Sequence, residues 1–147
     1  MIFRDATRAD VPAIVALLAD DPLGKGRESA AAAAYLIAFD EIAANPAHQL
    51  IVGEDRRRII ACAQLTILAG LSRGGARRGL IEAVRVAADL RSQGLGAALM
   101  AECEARARAA GCAALQLTTD SSRVRAHAFY ARLGFAASHI GMKKPLG

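Results

Sequence analysis

Six residues in the second half of the chain, Arg91 to Gly96, have the types and spacing of a phosphate-binding turn. Gly94 and Gly96 lack a Cβ atom, so they can adopt a positive φ and let phosphate oxygens approach the backbone. The first N–H groups of a helix are unpaired and carry a partial positive charge, so a helix that begins near Leu95 or Gly96 favours an anion. Arg91 can add a charge-assisted hydrogen bond. The segment predicts a pyrophosphate turn, although by itself it also fits an ordinary connection between a strand and a helix.

Other sites of phosphate or metal chemistry are not predicted. No Gly-Lys-Ser/Thr follows the turn, and no G-x-G-x-x-G follows the first strand, which excludes the Walker and dinucleotide-binding patterns. The three cysteines are odd in number and lack C-x-x-C spacing, and the three histidines are scattered. We therefore expect no protein-built metal site and no disulfide framework, and we predict that Cys62, Cys103 and Cys112 are small core residues.

The composition limits the class of protein and its partners. A chain of 147 residues that is 54% hydrophobic and 22% charged predicts one globular domain over residues 1–147. The net charge of +5 suits an anionic ligand, either nucleic acid or a polyphosphate cofactor. Aromatic residues make up only 4% of the chain and tryptophan is absent, which argues against single-stranded nucleic acid. Arginines at 56–58, 73, 77 and 78 are predicted to be solvated in strand connections.

A cytoplasmic location and no membrane contact are expected. The longest apolar stretch, residues 30–39, is far shorter than the roughly 20 residues that span a bilayer. Charged residues at positions 4, 5, 8 and 10 interrupt the place where the apolar core of a secretory signal would lie.

Apolar periodicity and turn residues predict the elements that position the turn. The order is β-α-α-β-β-β-α-β-α-β, in which antiparallel pairs come first and a right-handed parallel crossover follows. Two early helices are expected, one capped by Thr7 or Asp10 and ended by Asp21-Pro22, and one that follows Ser29 and stops at Asn45-Pro46. The other predicted elements are strands at 2–6, 48–53, 58–68, 80–87 and 113–119, a helix from about 95 to Gly111, a helix from a cap at Ser121 or Ser122 to Leu133, and one or two closing strands within 135–144.

The fourth strand has an unusual pattern. Regular alternation places Leu80, Glu82, Val84 and Val86 on one face, so one carboxylate shares a face with three apolar side chains. A carboxylate in that position is costly unless it lines a wet cleft.

Two segments of the sequence resemble the GNAT superfamily of N-acetyltransferases. Ile81 to Gly96 contains the R/Q-x-x-G-x-G/A signature of that superfamily, with Arg91, Gly94 and Gly96 at the signature positions. Ala126 to Phe135 matches its A-x-x-F-Y-x-x-x-G-F helix. The resemblance implies a mixed α/β (α+β) fold with a mostly antiparallel central sheet, helices on both faces, and a parallel, splayed strand pair at the cofactor site.

The resemblance also implies acetyl-coenzyme A as cosubstrate, without a metal. Its pantetheine arm is expected to lie along residues 84–86 of the fourth strand, and its pyrophosphate on backbone amides of residues 92–97. Ser122 and Asp120 follow the fifth strand, where many members have an Asn that contacts pantetheine; because Asp120 is not Asn, capping of the last helix is the competing expectation. The expected cofactor-binding residues are Val84, Arg85, Val86, Arg91, Ser92, Gln93, Gly94, Leu95, Gly96, Ala97, Ser122 and Tyr130.

Family members transfer acetyl directly from the thioester to an amine, which requires a proton acceptor and a proton donor. Tyr130, at the F-Y position of the motif, is the expected donor to the departing sulfur, and a packed core aromatic is the alternative. Glu82 resembles the Glu of Ile-Glu-Asp variants and is the expected base. Ala83 departs from that pattern, so a water-relayed base and a structural or substrate-anchoring role for Glu82 remain open.

The resemblance favours a small-molecule primary amine as acceptor. A peptide or protein amine, and a non-catalytic coenzyme A-binding or basic interaction domain, are the alternatives. Acceptor pockets in the family are built from early helices and strand connections, here residues 20–34 and 70–79, and neither segment has a motif that identifies the amine. A homodimer is common in the family, but no residue of this sequence predicts it.

Overall fold

Apolar stretches between charged turns fold into helices and strands that we describe from a computed structural model, which covers residues 1–28 and 30–147. In chain order the elements are β1 (Ile2–Asp5), α1 (Val11–Ala19), α2 (Pro22–Arg27), α3 (Ala32–Ala44), β2 (His48–Asp55), β3 (Arg58–Leu68), α4 (Ser72–Gly75), β4 (Arg77–Val86), α5 (Leu95–Ala109), β5 (Cys112–Leu117) and α6 (Val124–Arg132).

These residues form a five-stranded sheet in the order β1-β2-β3-β4-β5. The first four strands pair antiparallel, and β4 pairs parallel with β5 through the α5 crossover. The predicted mixed, mostly antiparallel sheet with one parallel pair is therefore confirmed. The β2–β3 hairpin turns at Arg56 and Arg57, whose φ angles of 48° and 67° are those of a tight hairpin turn.

Helices cover both faces of the sheet and bury two apolar clusters. On one face, α5 packs Leu99 and Cys103 against Leu65 and Ile81. On the other face, α1 packs Ile14 and Leu17 against β2 and β3. Cys62 and Cys103 are fully buried, as predicted, and Cys112 is half-buried.

A β-bulge at Ala83 overturns the predicted alternation of β4. Glu82 pairs with Gln64 and Arg85 pairs with Cys62, so Ala83 and Val84 together lie opposite one residue of β3. The extra residue reverses the pattern: Val84 and Val86 pack on the α5 face, whereas Glu82 is exposed. The prediction that Glu82 shares a face with Val84 and Val86 was wrong, because it assumed a regular strand.

The helical predictions need three additions or corrections. The first helix ends at Ala19, just before Asp21-Pro22 as predicted, but a short helix that was not predicted, α2, follows it. The predicted helix start at Ser29 lies outside the described residues, and α3 begins at Ala32. The last helix begins at Val124 with Arg123 as its N-cap, so neither Ser121 nor Ser122 caps it.

The predicted closing strands do not form within the described chain. Residues 136–147 have neither helix nor strand structure, and β5 remains the last strand of the sheet.

Candidate functional site

The parallel strands β4 and β5 separate at one end of the sheet. Their pairing ends at Ile81 and Leu117, but β4 continues to Val86. Among the described residues, one backbone edge of β4 from Glu82 onward therefore has no neighbouring strand, and an extended amide-containing ligand can pair with it as an added strand. The bulge at Ala83, with φ of 55°, lies within this opening.

A strained turn connects the free end of β4 to α5. Ser92 and Gly94 have φ angles of 62° and 82°, and Gly94 is the N-cap of α5. No side chain caps the helix, so the first-turn amides of Leu95, Gly96 and Ala97 have no protein partner among the described residues. A backbone held in such a conformation beside unpaired helix amides fits a phosphate group.

Two positively charged side chains, Lys25 and Arg91, lie beside this turn. Together with Asp20 and Asp21 they line an open depression of about 380 Å³. The Nε atom of Arg91 donates to the Val86 carbonyl at 3.2 Å, and its Nη2 atom donates to the Asp20 carbonyl at 3.0 Å. Arg91 thus ties the end of β4 to the α1–α2 connection.

A buried ion pair connects the N-cap residue of α2 to β4. Arg85 Nε and Asp21 Oδ2 are 2.8 Å apart, and only 14% and 9% of the two side chains are exposed. Burial raises the pKa of Asp21, but the Gly24 N–H bond and the charges of Arg85 and Arg123 outweigh it, so the pKa is lowered. Asp21 is the N-cap of α2 and accepts from the Gly24 N–H.

Gly24 is required by the close packing of α2 on α1. A Cβ atom at this position would lie 1.8 Å from the Leu18 carbonyl oxygen, which no side chain can tolerate. The short helix is thus held by a cap, an ion pair and close backbone packing.

Tyr130 lies on α6 in a cluster of aromatic rings. Its ring centroid is 5.1 Å from that of Phe129 and 5.8 Å from that of Phe135, and Phe129 also approaches Gly96 at the start of α5. Burial raises the pKa of the Tyr130 phenol, and the charges of Arg123 and Arg85 partly oppose the rise. No described group hydrogen-bonds to its hydroxyl, which leaves this proton available to a ligand.

Glu82 lies across the sheet from Tyr130. Its register partner Gln64 and its neighbour Ala83 line an apolar cavity of about 170 Å³ between α1, α3 and the sheet. Tyr35 lines the same cavity and donates its hydroxyl to Glu28 at 2.9 Å. An exposed carboxylate at the rim of an apolar cavity can accept a proton from an amine held there.

Ser122 and Asp120 interact with each other in the β5–α6 loop. Asp120 Oδ1 accepts from the Ser122 backbone N–H at 2.9 Å and from the Ser122 hydroxyl at 2.6 Å. The carbonyl of Asp120 also lies 2.9 Å from His127 Nε2. Asp120 therefore stabilises a local turn, and its side chain does not cap α6.

The fold gathers most of the predicted site residues around one cleft: the edge of β4, the turn before α5, and Tyr130. Sequence reasoning missed Asp21, Lys25 and Gln64. Asp21 had one visible signal, since it precedes a proline at a helix start, but the same pair is also typical of a helix end.

The described residues contain no group of three or more His, Cys, Asp or Glu side chains placed to hold a metal. Among the helices in residues 1–28 and 30–147, none has the length and apolarity to cross a membrane.

Comparisons with known proteins agree with this geometry. The chain is 38% identical over 68 residues to the aminoalkylphosphonate N-acetyltransferase of Salmonella typhimurium, a match that covers 46% of this chain and 44% of the relative, so it spans less than half of that protein. A crystal structure described as a transcriptional regulator from Bacillus halodurans is 38% identical, with a TM-score of 0.95 and 99% of both chains covered. A Trypanosoma brucei acetyltransferase structure is 25% identical, with a TM-score of 0.81 and 99% of both chains covered.

The family comparison covers most of the chain. The model of the acetyltransferase (GNAT) family matches residues 12–135, which include the splayed strands, the turn before α5 and the Tyr130 helix. The chain belongs to the GNAT acetyltransferase family.

Proposed function

We propose that the protein is an N-acetyltransferase that moves an acetyl group from acetyl-coenzyme A to a primary amine of a small molecule by direct attack. The separation of β4 from β5 beyond Ile81 and Leu117, beside the unpaired amides that begin α5, is the observation that carries this proposal. A cytoplasmic location goes with this function, since acetyl-coenzyme A is an intracellular metabolite.

The residues present fit the cosubstrate. Amides from Ser92 to Ala97 would hold the pyrophosphate, with Lys25 and Arg91 as nearby positive charges. The free edge of β4 at Val84, Arg85 and Val86 would pair with the amides of the pantetheine arm. When bound, the cosubstrate supplies an activated acetyl thioester. Ser122 is a weaker candidate for a pantetheine contact because its hydroxyl already donates to Asp120.

Two side chains would move protons during transfer. A primary alkylamine has a pKa of about 10.4, so at neutral pH it must lose a proton before it can attack. Glu82, directly or through water, would accept that first proton and so free the amine nitrogen to bond to the acetyl carbon. As the carbon–sulfur bond breaks, the Tyr130 hydroxyl would stabilise the departing sulfur by a hydrogen bond. The second proton lost by the nitrogen would go to that sulfur, so a neutral amide and a free thiol are released.

The small apolar cavity next to Glu82 supports a small-molecule acceptor. Its volume of about 170 Å³ suits a short amine better than a folded protein or a long peptide. The curated relative from Salmonella typhimurium is described as acting on an aminoalkylphosphonate, which is also a small amine. Peptide and protein amines stay as the enzymatic alternative.

Two experiments test the proposal, first the binding of acetyl-coenzyme A and then the release of free thiol. A ligand at 100 times its Kd stabilises the folded state by about 2.7 kcal/mol, so we expect a clear rise in Tm with acetyl-coenzyme A. Acetyl-pantetheine, which lacks the pyrophosphate, should shift Tm less. Thiol release should then identify acceptors among small primary amines, with peptides as the comparison set. No Tm shift at saturating acetyl-coenzyme A would refute the cofactor assignment.

A basic interaction domain is the second candidate function, because the Bacillus halodurans structure is described as a transcriptional regulator and this chain has a net charge of +5. Titration of labelled duplex DNA separates the two candidates. Salt-sensitive DNA binding together with no response to acetyl-coenzyme A would favour the interaction domain.

Replacing Glu82 by glutamine is expected to lower kcat/KM for the amine by roughly 10²-fold, the low end of what a positioned base contributes, and to move the acidic limb of the pH profile. Glutamine keeps the size of the side chain but cannot accept a proton, so the Kd for acetyl-coenzyme A should stay the same. Glu104→Gln is the matched control, since Glu104 is an exposed glutamate that pairs with Arg108 on α5. An acidic limb that stays in place would exclude Glu82 as the base and leave it an anchoring or structural role.

A further inference from the structure

Helix α3 lies beside the sheet without burying its apolar face. Tyr35, Ala38, Phe39 and Ile42 recur at the spacing of one helical face, and all four line the cavity between α1, α3 and the sheet. In the described structure none of the thirteen residues of α3 is buried. An amphipathic helix normally packs its apolar stripe against the core, but here the stripe borders a cavity of about 170 Å³. The stripe is therefore available to an apolar ligand.

The rest of the cavity wall is apolar or has its polar atoms paired. Helix α1 contributes Ile14 and Leu18, and the sheet contributes Leu50 and Cys62. The Cys62 thiol donates to the Ala83 carbonyl at 3.5 Å, so it offers a ligand no free donor. Among the described residues that line the cavity, none carries a charge. A charged group in this space would lose its hydration without gaining a partner, whereas an apolar group gains from leaving water.

Two polar side chains line the cavity, and they differ in what they offer a ligand. The Tyr35 hydroxyl donates to Glu28 at 2.9 Å, so its proton is already used. Among the described residues, none hydrogen-bonds to the side-chain amide of Gln64. Gln64 is half-buried, and its amide oxygen can accept a hydrogen bond from a ligand.

Gln64 and Glu82 face each other across β3 and β4. They are register partners in the antiparallel pair, so their side chains project from the same face of the sheet with Cβ atoms roughly 4.5–5.5 Å apart. Glu82 is exposed and Gln64 is half-buried, which places the carboxylate at the rim of the cavity and the amide further in. A primary ammonium between them has enough N–H groups to donate to both side chains.

The size of the cavity limits what can follow the nitrogen. A cavity of about 150 Å³ lined by aliphatic and aromatic side chains stays dry and binds benzene. The cavity beside α3, at about 170 Å³, therefore admits a group of that size. A phosphate or phosphonate would enter it without a cation, since the Arg85 guanidinium on β4 is paired with Asp21 at 2.8 Å. A sugar would bury several hydroxyl groups, for which the described wall offers Gln64 as a partner but little else.

We infer that the acceptor is a primary amine with an uncharged, apolar body about the size of a benzene ring. Its nitrogen lies between Glu82 and Gln64, and its body fills the cavity beside α3. This inference rests on the proposed function, because it names the class of amine that the transfer reaction takes. Charge at the rim and apolar surface inside together select the acceptor: Glu82 attracts the ammonium, and the wall rejects a second charge.

Competition binding tests the inference without acetyl transfer. Fluorobenzylamine is the reporter, observed by fluorine NMR with coenzyme A present and absent. The competitors benzylamine, phenylacetate and aminomethylphosphonate share one methylene group but differ in head or body. We expect benzylamine to displace the reporter with a Kd roughly 10²-fold lower than that of either other compound. Equal displacement by aminomethylphosphonate or phenylacetate, or no displacement by benzylamine, would overturn the inference.

Thiol release separates this inference from the proposed function. Transfer to aminomethylphosphonate but not to benzylamine would overturn the inference and leave the acetyltransferase activity in place. Binding of benzylamine to a protein that does not bind acetyl-coenzyme A would overturn the proposed function and leave the ligand of the cavity as inferred.

Ala38→Phe fills the cavity from the α3 side. Ala38 is exposed, so the added ring displaces no packed core side chain and the fold should be kept. We expect kcat/KM for benzylamine to fall roughly 10- to 100-fold, while methylamine, which has no body to place, keeps its wild-type value. Ala33→Phe is the matched control, because Ala33 is an exposed alanine of α3 that does not line the cavity. Equal values for benzylamine in the two variants, both folded by circular dichroism, would refute the placement of the amine's body.

Discussion

Replacing Tyr130 by phenylalanine is expected to lower kcat by roughly 10²- to 10⁴-fold, while acetyl-coenzyme A still raises Tm. The substitution removes one hydroxyl and leaves the ring, so the contacts with Phe129 and Phe135 are retained. The hydroxyl has no hydrogen-bond partner in the described fold, so its removal leaves no buried group unpaired. A loss of rate without a loss of stability would then report the hydrogen bond to the departing sulfur.

The raised pKa of Tyr130 fixes the sign of its pH dependence. Burial raises the phenol pKa above its ordinary value of about 10, so Tyr130 stays protonated throughout the neutral range and can donate there. The wild-type rate should therefore not fall between neutral pH and about pH 9 through ionisation of Tyr130. Stopped-flow measurement of thiol release over this pH range, in wild type and Tyr130→Phe, gives the change in kcat and the pH dependence of the rate.

Tyr35→Phe is the matched control, since the chain has only two tyrosines. The Tyr35 hydroxyl donates to Glu28 and its ring lines the proposed acceptor cavity. We expect it to change KM for the amine and to leave kcat within a few-fold of wild type. Equal kcat in wild type and Tyr130→Phe would show that Tyr130 contributes packing alone.

Elements governed by local rules were predictable from the sequence. β3 spans Arg58–Leu68 as predicted, and α5 begins at Leu95, directly after the glycine expected to allow the turn. α2 was not foreseen, because two glycines in six residues disfavour a helix. It forms because tertiary contacts, the Asp21–Arg85 ion pair and the packing of Gly24 on Leu18, outweigh propensity.

The bulge at Ala83 shows what periodicity cannot predict. Alanine at a φ of 55° has no local signal, since nothing in its side chain favours the left-handed region. The register between β3 and β4 on either side of it imposes this conformation. The consequence reaches the candidate site: Glu82 faces the α1 and α3 side, next to the proposed acceptor cavity, while Val84 and Val86 face α5.

Gly94→Ala is expected to weaken acetyl-coenzyme A binding by roughly 10- to 100-fold, which corresponds to about 1.4 to 2.8 kcal/mol. A Cβ atom at Gly94 meets no protein atom within 4 Å, so any space it takes is on the open side of the turn. Alanine also strains a residue whose φ is 82°, which shifts the amides that follow. Both effects act where we propose that the pyrophosphate lies. Isothermal titration calorimetry measures the resulting change in the Kd for acetyl-coenzyme A.

Gly111→Ala is the matched control for Gly94→Ala. It distinguishes damage to the binding site from the general cost of replacing a glycine that has a positive φ. Gly111 follows the other end of α5 with a φ of 77°, and a Cβ atom there would likewise meet no protein atom within 4 Å. Both substitutions should cost roughly 1 kcal/mol of folding free energy, since each places a Cβ in the left-handed region. Because only Gly94 precedes unpaired amides of a helix N-terminus, only Gly94→Ala should raise the Kd. Equal Kd values in the two variants would remove the turn from the binding site, and the proposed pyrophosphate contact with it.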